Sequence, residues 1–189
     1  MSHENQLKRE GYIAFVIFCI TIPLANWMIH NVGTFCTPEG ICVLPVAPGF
    51  SAPSGVLMVG FALVLRDIVQ RSLGAFWSLG AIVIGTIISS VLAPPALVIA
   101  SATAFFISEL ADFLVYTPLQ KKGFVRAVVV SSFVGLVCDS AVFLYLAFGD
   151  LDFLSGQIIG KTWMVVLSIP LISWMRNRDA KMVTVETEL

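Results

Sequence analysis

The side chains with most chemistry to offer are charged residues set inside long apolar stretches: Arg66, Asp67, Glu109, Asp112, Asp139 and Lys161. An ionisable group at the centre of a hydrocarbon layer costs about 3 kcal/mol on insertion scales, so it faces a partner or a cavity rather than lipid. Phe105, Glu109, Asp112 and Tyr116 recur at i, i+4, i+7 and i+11, on one helix face, with Ser101 and Ser108 beside it. That stripe must look inward. Its two carboxylates suit a ligand with adjacent N–H donors or a positive charge. A guanine-type edge, a ring N–H beside an exocyclic amino group, donates two parallel hydrogen bonds to one carboxylate. Phe105, Phe106, Tyr116 and Trp163 offer stacking surfaces. Gln157 and Lys161, at i and i+4, offer donors to a carbonyl oxygen.

The elements that hold these residues are six apolar stretches, at 12–29, 52–70, 75–92, 96–119, 125–148 and 155–174. Each is near the roughly 20 residues that cross about 30 Å of hydrocarbon. The predicted fold class is an all-α integral membrane protein, a compact bundle of six transmembrane helices forming one domain over 12–174. Residues 1–11 and 175–189 are short tails. Composition agrees: 58% of residues are hydrophobic and 12% charged, against about 25% charged in soluble domains. The mean hydropathy is +0.93. The first stretch follows Lys8-Arg9, but it is too long for a signal-peptide core and no small-x-small site follows, so it reads as a retained helix.

Charge sets the direction. If six spans alternate, Lys8, Arg9, Arg66, Arg71, Lys121, Lys122, Arg126, Arg176, Arg178 and Lys181 gather on one side, ten of the 11 basic residues. Only Lys161 falls toward the other. The positive-inside rule then puts both termini in the cytoplasm of a plasma (inner) membrane. At about 1.5 Å of rise per residue, Arg66 and Glu109 lie at similar depth, roughly 20 Å from the outer edge. Arg66 is therefore expected to pair with Glu109 or Asp112. Asp139 and Lys161, nearer the outer half, form a second expected pair.

Connections are short, with Ala93-Pro94-Pro95 as a tight outer turn. The exception runs from Asn31 to Phe50, with Pro38, Pro45 and Pro48 among apolar residues. It reads either as a lid folded onto the bundle mouth or as a plain interfacial loop. Cys36 and Cys42 both lie in it, where a disulfide is geometrically open to them. Cys19 and Cys138 read as small apolar packing residues. No zinc or redox spacing exists, no metal or cofactor is expected, and no nucleophile–base pair suggests an enzyme. An intramembrane protease built on Asp112 and Asp139 would lack the GxGD motif. Net charge of −1 gives no reason for direct nucleic-acid contact.

Several motifs, in order along most of the chain, resemble those of the vitamin-uptake-like family that contains the queuosine precursor transporters. The stretch Ala104 to Tyr116, AFFISELADFLVY, is similar to its fourth-helix motif, and Leu136 to Gly149, LVCDSAVFLYLAFG, to its fifth-helix signature. Gln157, Lys161 and Pro170 resemble its sixth helix, Asn26 a first-helix Asn, and Asp67 with Gly74 a D-x6-G pattern. Asn31, Arg66, Arg71 and Glu109 depart from the pattern. The resemblance implies uptake of a 7-deazaguanine base, the cyano or aminomethyl precursor of a modified tRNA nucleoside. It implies a fold similar to the substrate-binding components of energy-coupling-factor transporters. Glu109 and Asp112 would then bind the base edge, with Asn26, Asp139, Gln157 and Lys161 completing a polar pocket. The expected partners are that base and the lipid bilayer, with a homo-oligomer left open. The competing reading is a binding subunit that needs an energising partner, docked through small residues such as Gly80, Gly85, Gly156 and Gly160.

Overall fold

A computed structural model of the protein describes residues 3–36, 41–93 and 95–187. Pro38 and Pro94, and with Pro94 the centre of the expected outer turn, lie outside these. The elements run α1 (His3–Asn31), β1 (Phe35–Cys36), β2 (Cys42–Ala47), β3 (Phe50–Pro53), α2 (Val56–Leu73) and α3 (Ala75–Leu92), then α4 (Val98–Leu119), α5 (Phe124–Phe148) and α6 (Leu154–Thr187).

Helix α2 is the axis of the bundle. Every residue from Ala62 to Gln70 is buried, and each of the other five helices packs on it. A helix covered on all sides needs no polar face toward solvent, and α2 puts its charges against other helices instead. The surrounding helices turn large apolar side chains outward. Phe76, Val91, Ile99, Leu114, Tyr145 and Leu167 are all more than 60% exposed. Apolar exposure on that scale calls for a lipid solvent rather than water.

Five helices, α1, α3, α4, α5 and α6, are long and apolar enough to cross a membrane, and the chain is a multi-pass membrane protein. At 18 residues α2 is as long as α3, but it carries Arg66, Asp67 and Arg71. Between the two stands Gly74 alone, at φ 93°, a conformation that costs glycine nothing.

The elements differ from expectation at three places. The segment from Asn31 to Phe50 is folded onto the bundle mouth, as one of its two readings has it, but as a sheet: Phe35–Cys36, Cys42–Ala47 and Phe50–Pro53 form three antiparallel strands in the order β1-β2-β3. The sheet takes residues 52–53 from the second expected span, and α2 starts at Val56. Both tails, finally, continue their helices: α1 begins at His3 and α6 runs to Thr187. Arg178 on α6 meets Glu10 on α1 at 2.5 Å, and Asp179 meets Arg71 at the end of α2. Three helix ends are thereby tied at the terminal end of the bundle.

The sheet caps the opposite end, and glycine sets how closely it approaches. A Cβ on Gly156 would lie 2.2 Å from the Ser51 carbonyl oxygen, and one on Gly160 would lie 2.7 Å from the Val56 side chain. The Trp163 indole N–H donates to the Val46 carbonyl at 2.8 Å, fastening β2 to α6. Cys36 and Cys42 form a disulfide that joins β1 to β2.

Candidate functional site

Beneath the sheet a cavity of about 140 Å³ opens between α1, α2, α4, α5 and α6. One buried water needs about 10–15 Å³ on the same measure, so the space suits a small organic molecule. Its wall is mostly apolar, from Ile22, Ile29, Val56, Val59, Phe105 and Phe143, with Ile41 and Pro53 contributed by the cap. Thr21, Asn26, His30, Ser89, Ser101, Asp139, Gln157 and Lys161 are the polar exceptions. An apolar pocket with few placed polar groups is the usual form of a small-molecule site.

The polar set is tightly ordered. The Lys161 ammonium, buried to 1% exposure, donates to Asp139 Oδ2 at 2.6 Å, Ser140 Oγ at 2.7 Å and Gln157 Oε1 at 2.9 Å. Those three acceptors use all of its N–H groups. An ammonium cannot accept a hydrogen bond, so Gln157 must turn its carbonyl oxygen to Lys161, which leaves its NH2 as the donor end. Asn26 gives its own NH2 to the Ile22 carbonyl at 3.0 Å, which leaves its oxygen as an acceptor. Asp139 Oδ1 has a weaker partner, the Ser108 hydroxyl at 3.4 Å. The cavity thus faces a solute with acceptors from Asp139 and Asn26 and a donor from Gln157.

A second polar group lies deeper, between α2 and α4. Arg66, with no exposed surface, reaches Asp67 Oδ1 at 2.7 Å and Asp112 Oδ1 at 2.6 Å through Nη2. Its Nε reaches Glu109 at 3.2 Å, and its Nη1 donates to Gln70 Oε1 at 2.8 Å. The Tyr116 and Phe113 rings lie 5.7 and 6.0 Å from the guanidinium carbon, within cation–π range. From α5, Ser131 donates to Asp67 Oδ2 at 3.0 Å. Gly135, also on α5, makes room for the Asp112 side chain, because a Cβ there would come within 3.0 Å of it. Breaking a buried pair of this kind costs about 3–5 kcal/mol.

Both ion pairs expected from depth are therefore present, and Arg66 holds Glu109 and Asp112 together. The ten candidate site residues fall into two sets. Asn26, Phe105, Asp139, Gln157 and Lys161 line the cavity, whereas Arg66, Asp67, Glu109, Asp112 and Tyr116 form the cluster next to it. Of the four aromatic residues offered for stacking, Phe105 lines the cavity. Trp163 and Phe106 are turned outward, half exposed.

Phe143, Ser89 and Thr21 line the cavity without having been singled out, and Gln70, Ser131 and Ser140 complete the networks. Nothing in the sequence separates these hydroxyls from Thr86, Thr162 or Ser168, which donate to their own helix four residues back. For Phe143 the one signal is its place in the fifth-helix stretch Leu136 to Gly149, four residues after Asp139.

The fold and cavity define a class: a multi-helix membrane protein with an internal, mostly apolar cavity. Residues 89–175, from the end of α3 through most of α6, match the family described as "Putative vitamin uptake transporter". The matched stretch is just under half of the chain, and it holds Glu109, Asp112, Asp139, Gln157 and Lys161. No curated protein and no solved structure matches the chain.

Proposed function

We propose that this protein imports a 7-deazaguanine base of the queuosine-precursor type across the plasma membrane. It would act as a carrier rather than an enzyme, with six membrane crossings and both termini cytoplasmic. The observation that carries the reading is the cavity's polar set. Asp139 accepts the paired N–H donors of a guanine-type edge, Gln157 donates to the ring carbonyl, and Phe105 and Phe143 cover the flat faces. Asn26 accepts a further N–H. Arg66, Asp67, Glu109, Asp112 and Tyr116 stand beside this site without lining it. The motif resemblance and the family match over residues 89–175 support the solute-uptake class.

The test is uptake of a labelled 7-deazaguanine by purified protein in liposomes, with guanine and adenine as competitors. The expected result is transport without any added protein, with the deazaguanine preferred. Asn26→Leu, which removes one acceptor, should weaken binding by about tenfold, the equivalent of roughly 1.4 kcal/mol. Equal competition by all three bases would overturn the assignment. Transport only with an added energising partner would favour the binding-subunit reading. Of the small residues named for docking, Gly156, Gly160 and Gly85 are covered by the protein's own side chains and backbone, whereas Gly80 has open space around it.

A further inference from the structure

The Arg66 cluster is out of electrical balance. Three carboxylates, Asp67, Glu109 and Asp112, contact one guanidinium, and none of the four residues is more than 2% exposed. With all three ionised, two negative charges stay uncompensated inside the bundle, which no low-dielectric interior tolerates. The groups packed around them add no cation. From α2 comes Gln70, from α3 Ser78, from α4 Tyr116 and from α5 Ser131. Arg71 is turned away, over the Phe124 ring and toward Asp179. Lys161, on α6, is bound to Asp139.

Two further observations indicate what completes the balance. Asp112 Oδ2 and the Tyr116 hydroxyl are buried without a hydrogen-bond partner, the second on a ring that packs against the Arg66 guanidinium. Among the described residues, the acids do not converge into a set able to hold a metal ion. Full neutrality takes two protons on the three carboxylates, and a protonated carboxyl is the means the cluster itself offers. The cluster also adjoins the cavity: Ser108, whose hydroxyl lies 3.4 Å from the cavity carboxylate Asp139, immediately precedes Glu109 in α4.

We infer that the Arg66 cluster is a proton-binding site, separate from the cavity, that couples solute entry to proton entry. A proton arriving from the outer side forms an O–H bond on a cluster carboxylate. That bond breaks when the proton passes to water on the inner side, leaving the carboxylate as it began. The solute crosses unchanged in the same cycle. The coupling rests on the transport reading above; the protonation does not.

Two measurements separate them. The first is infrared spectroscopy of the purified protein without solute. The carbonyl stretch of a protonated carboxyl should be present near neutral pH and should weaken in Glu109→Gln or Asp112→Asn. The amide variants preserve size, and each leaves Arg66 with two carboxylates. The second is transport in liposomes. An outside-acid gradient of one pH unit, coupled to one proton, sustains up to about tenfold accumulation of solute. In Asp112→Asn that accumulation should vanish, while exchange of internal for external solute continues. A missing protonated-carboxyl band, or one undiminished in both variants, overturns the inference. So does accumulation that ignores the gradient in the wild type or survives in Asp112→Asn. A band that behaves as expected, with no uptake of any deazaguanine, would instead overturn the proposed function and leave the proton site standing.

Discussion

At the scale of single residues, the cavity's charge pair is a matter of geometry as much as of sign. Lys161 has three acceptors within 2.9 Å, so removing its ammonium strands Asp139 in a nearly dry wall. Lys161→Met should destabilise the protein by about 3–5 kcal/mol, whereas Lys161→Met combined with Asp139→Asn should recover most of that loss. Unfolding in mild detergent would measure both. A double variant no better than the single one would mean that Asp139 does not depend on Lys161. The existence of this pair, and of the Arg66 contacts, was readable from residue type and depth alone. Which acid faces the cavity was not. Glu109 and Asp112 share the inward stripe with Phe105, but only a partner arriving from α2 decides that these acids serve Arg66 while Phe105 serves the cavity.

The elements show the clearest gap between pattern and structure. A cluster containing Pro45 and Pro48 argues against a strand, since proline cannot donate to a ladder. Yet Pro45 lies in β2, the middle strand of the sheet. The ladder explains how. β1 pairs only with Cys42 and Val43, so at Pro45 the strand has β3 on one side and an irregular register beside it. There it behaves as an edge. The cap should depend on glycine where it meets α6. Gly156→Ala pushes a methyl into the Ser51 carbonyl and should lower stability by about 1–3 kcal/mol. Gly80→Ala, with open space around it, should be neutral or raise stability by about 0.5 kcal/mol. Paired melting curves would settle the contrast, and equal shifts would sink it. Replacing Cys36 and Cys42 by serine should cost the cap about 2 kcal/mol, read as faster amide exchange over residues 42–53.

For the molecule as a whole, hydropathy made five helices plain but could not give the role of α2. Three charges within 18 residues set it apart from the five, and continuous burial from Ala62 to Gln70 makes it the most enclosed. These are two sides of one fact, because a central helix can carry charges that its neighbours neutralise. Six crossings follow if α2 also spans the membrane. A reporter fused after residue 74 should then read cytoplasmic, and one fused after residue 93 should read external. Both on one side would remove α3, the most plainly apolar span, from the membrane, so that result would refute the topology. The terminal extensions escaped a reading based on apolar runs, since their helices continue through charged turns held by the contacts of Glu10 and Arg71 with α6.

The central position of α2 has a consequence for synthesis. It leaves the ribosome with Arg66 next to Asp67, but Glu109 lies 43 residues behind Arg66. On its own it is a poor candidate to partition into lipid, each central charge costing about 3 kcal/mol. It should therefore linger at the insertion machinery beside α1 until α4 emerges. A chain truncated before Glu109 should leave α2 extractable by alkali, and a chain extended through α4 should not. The axis of the finished bundle would be among its last parts to commit to the bilayer.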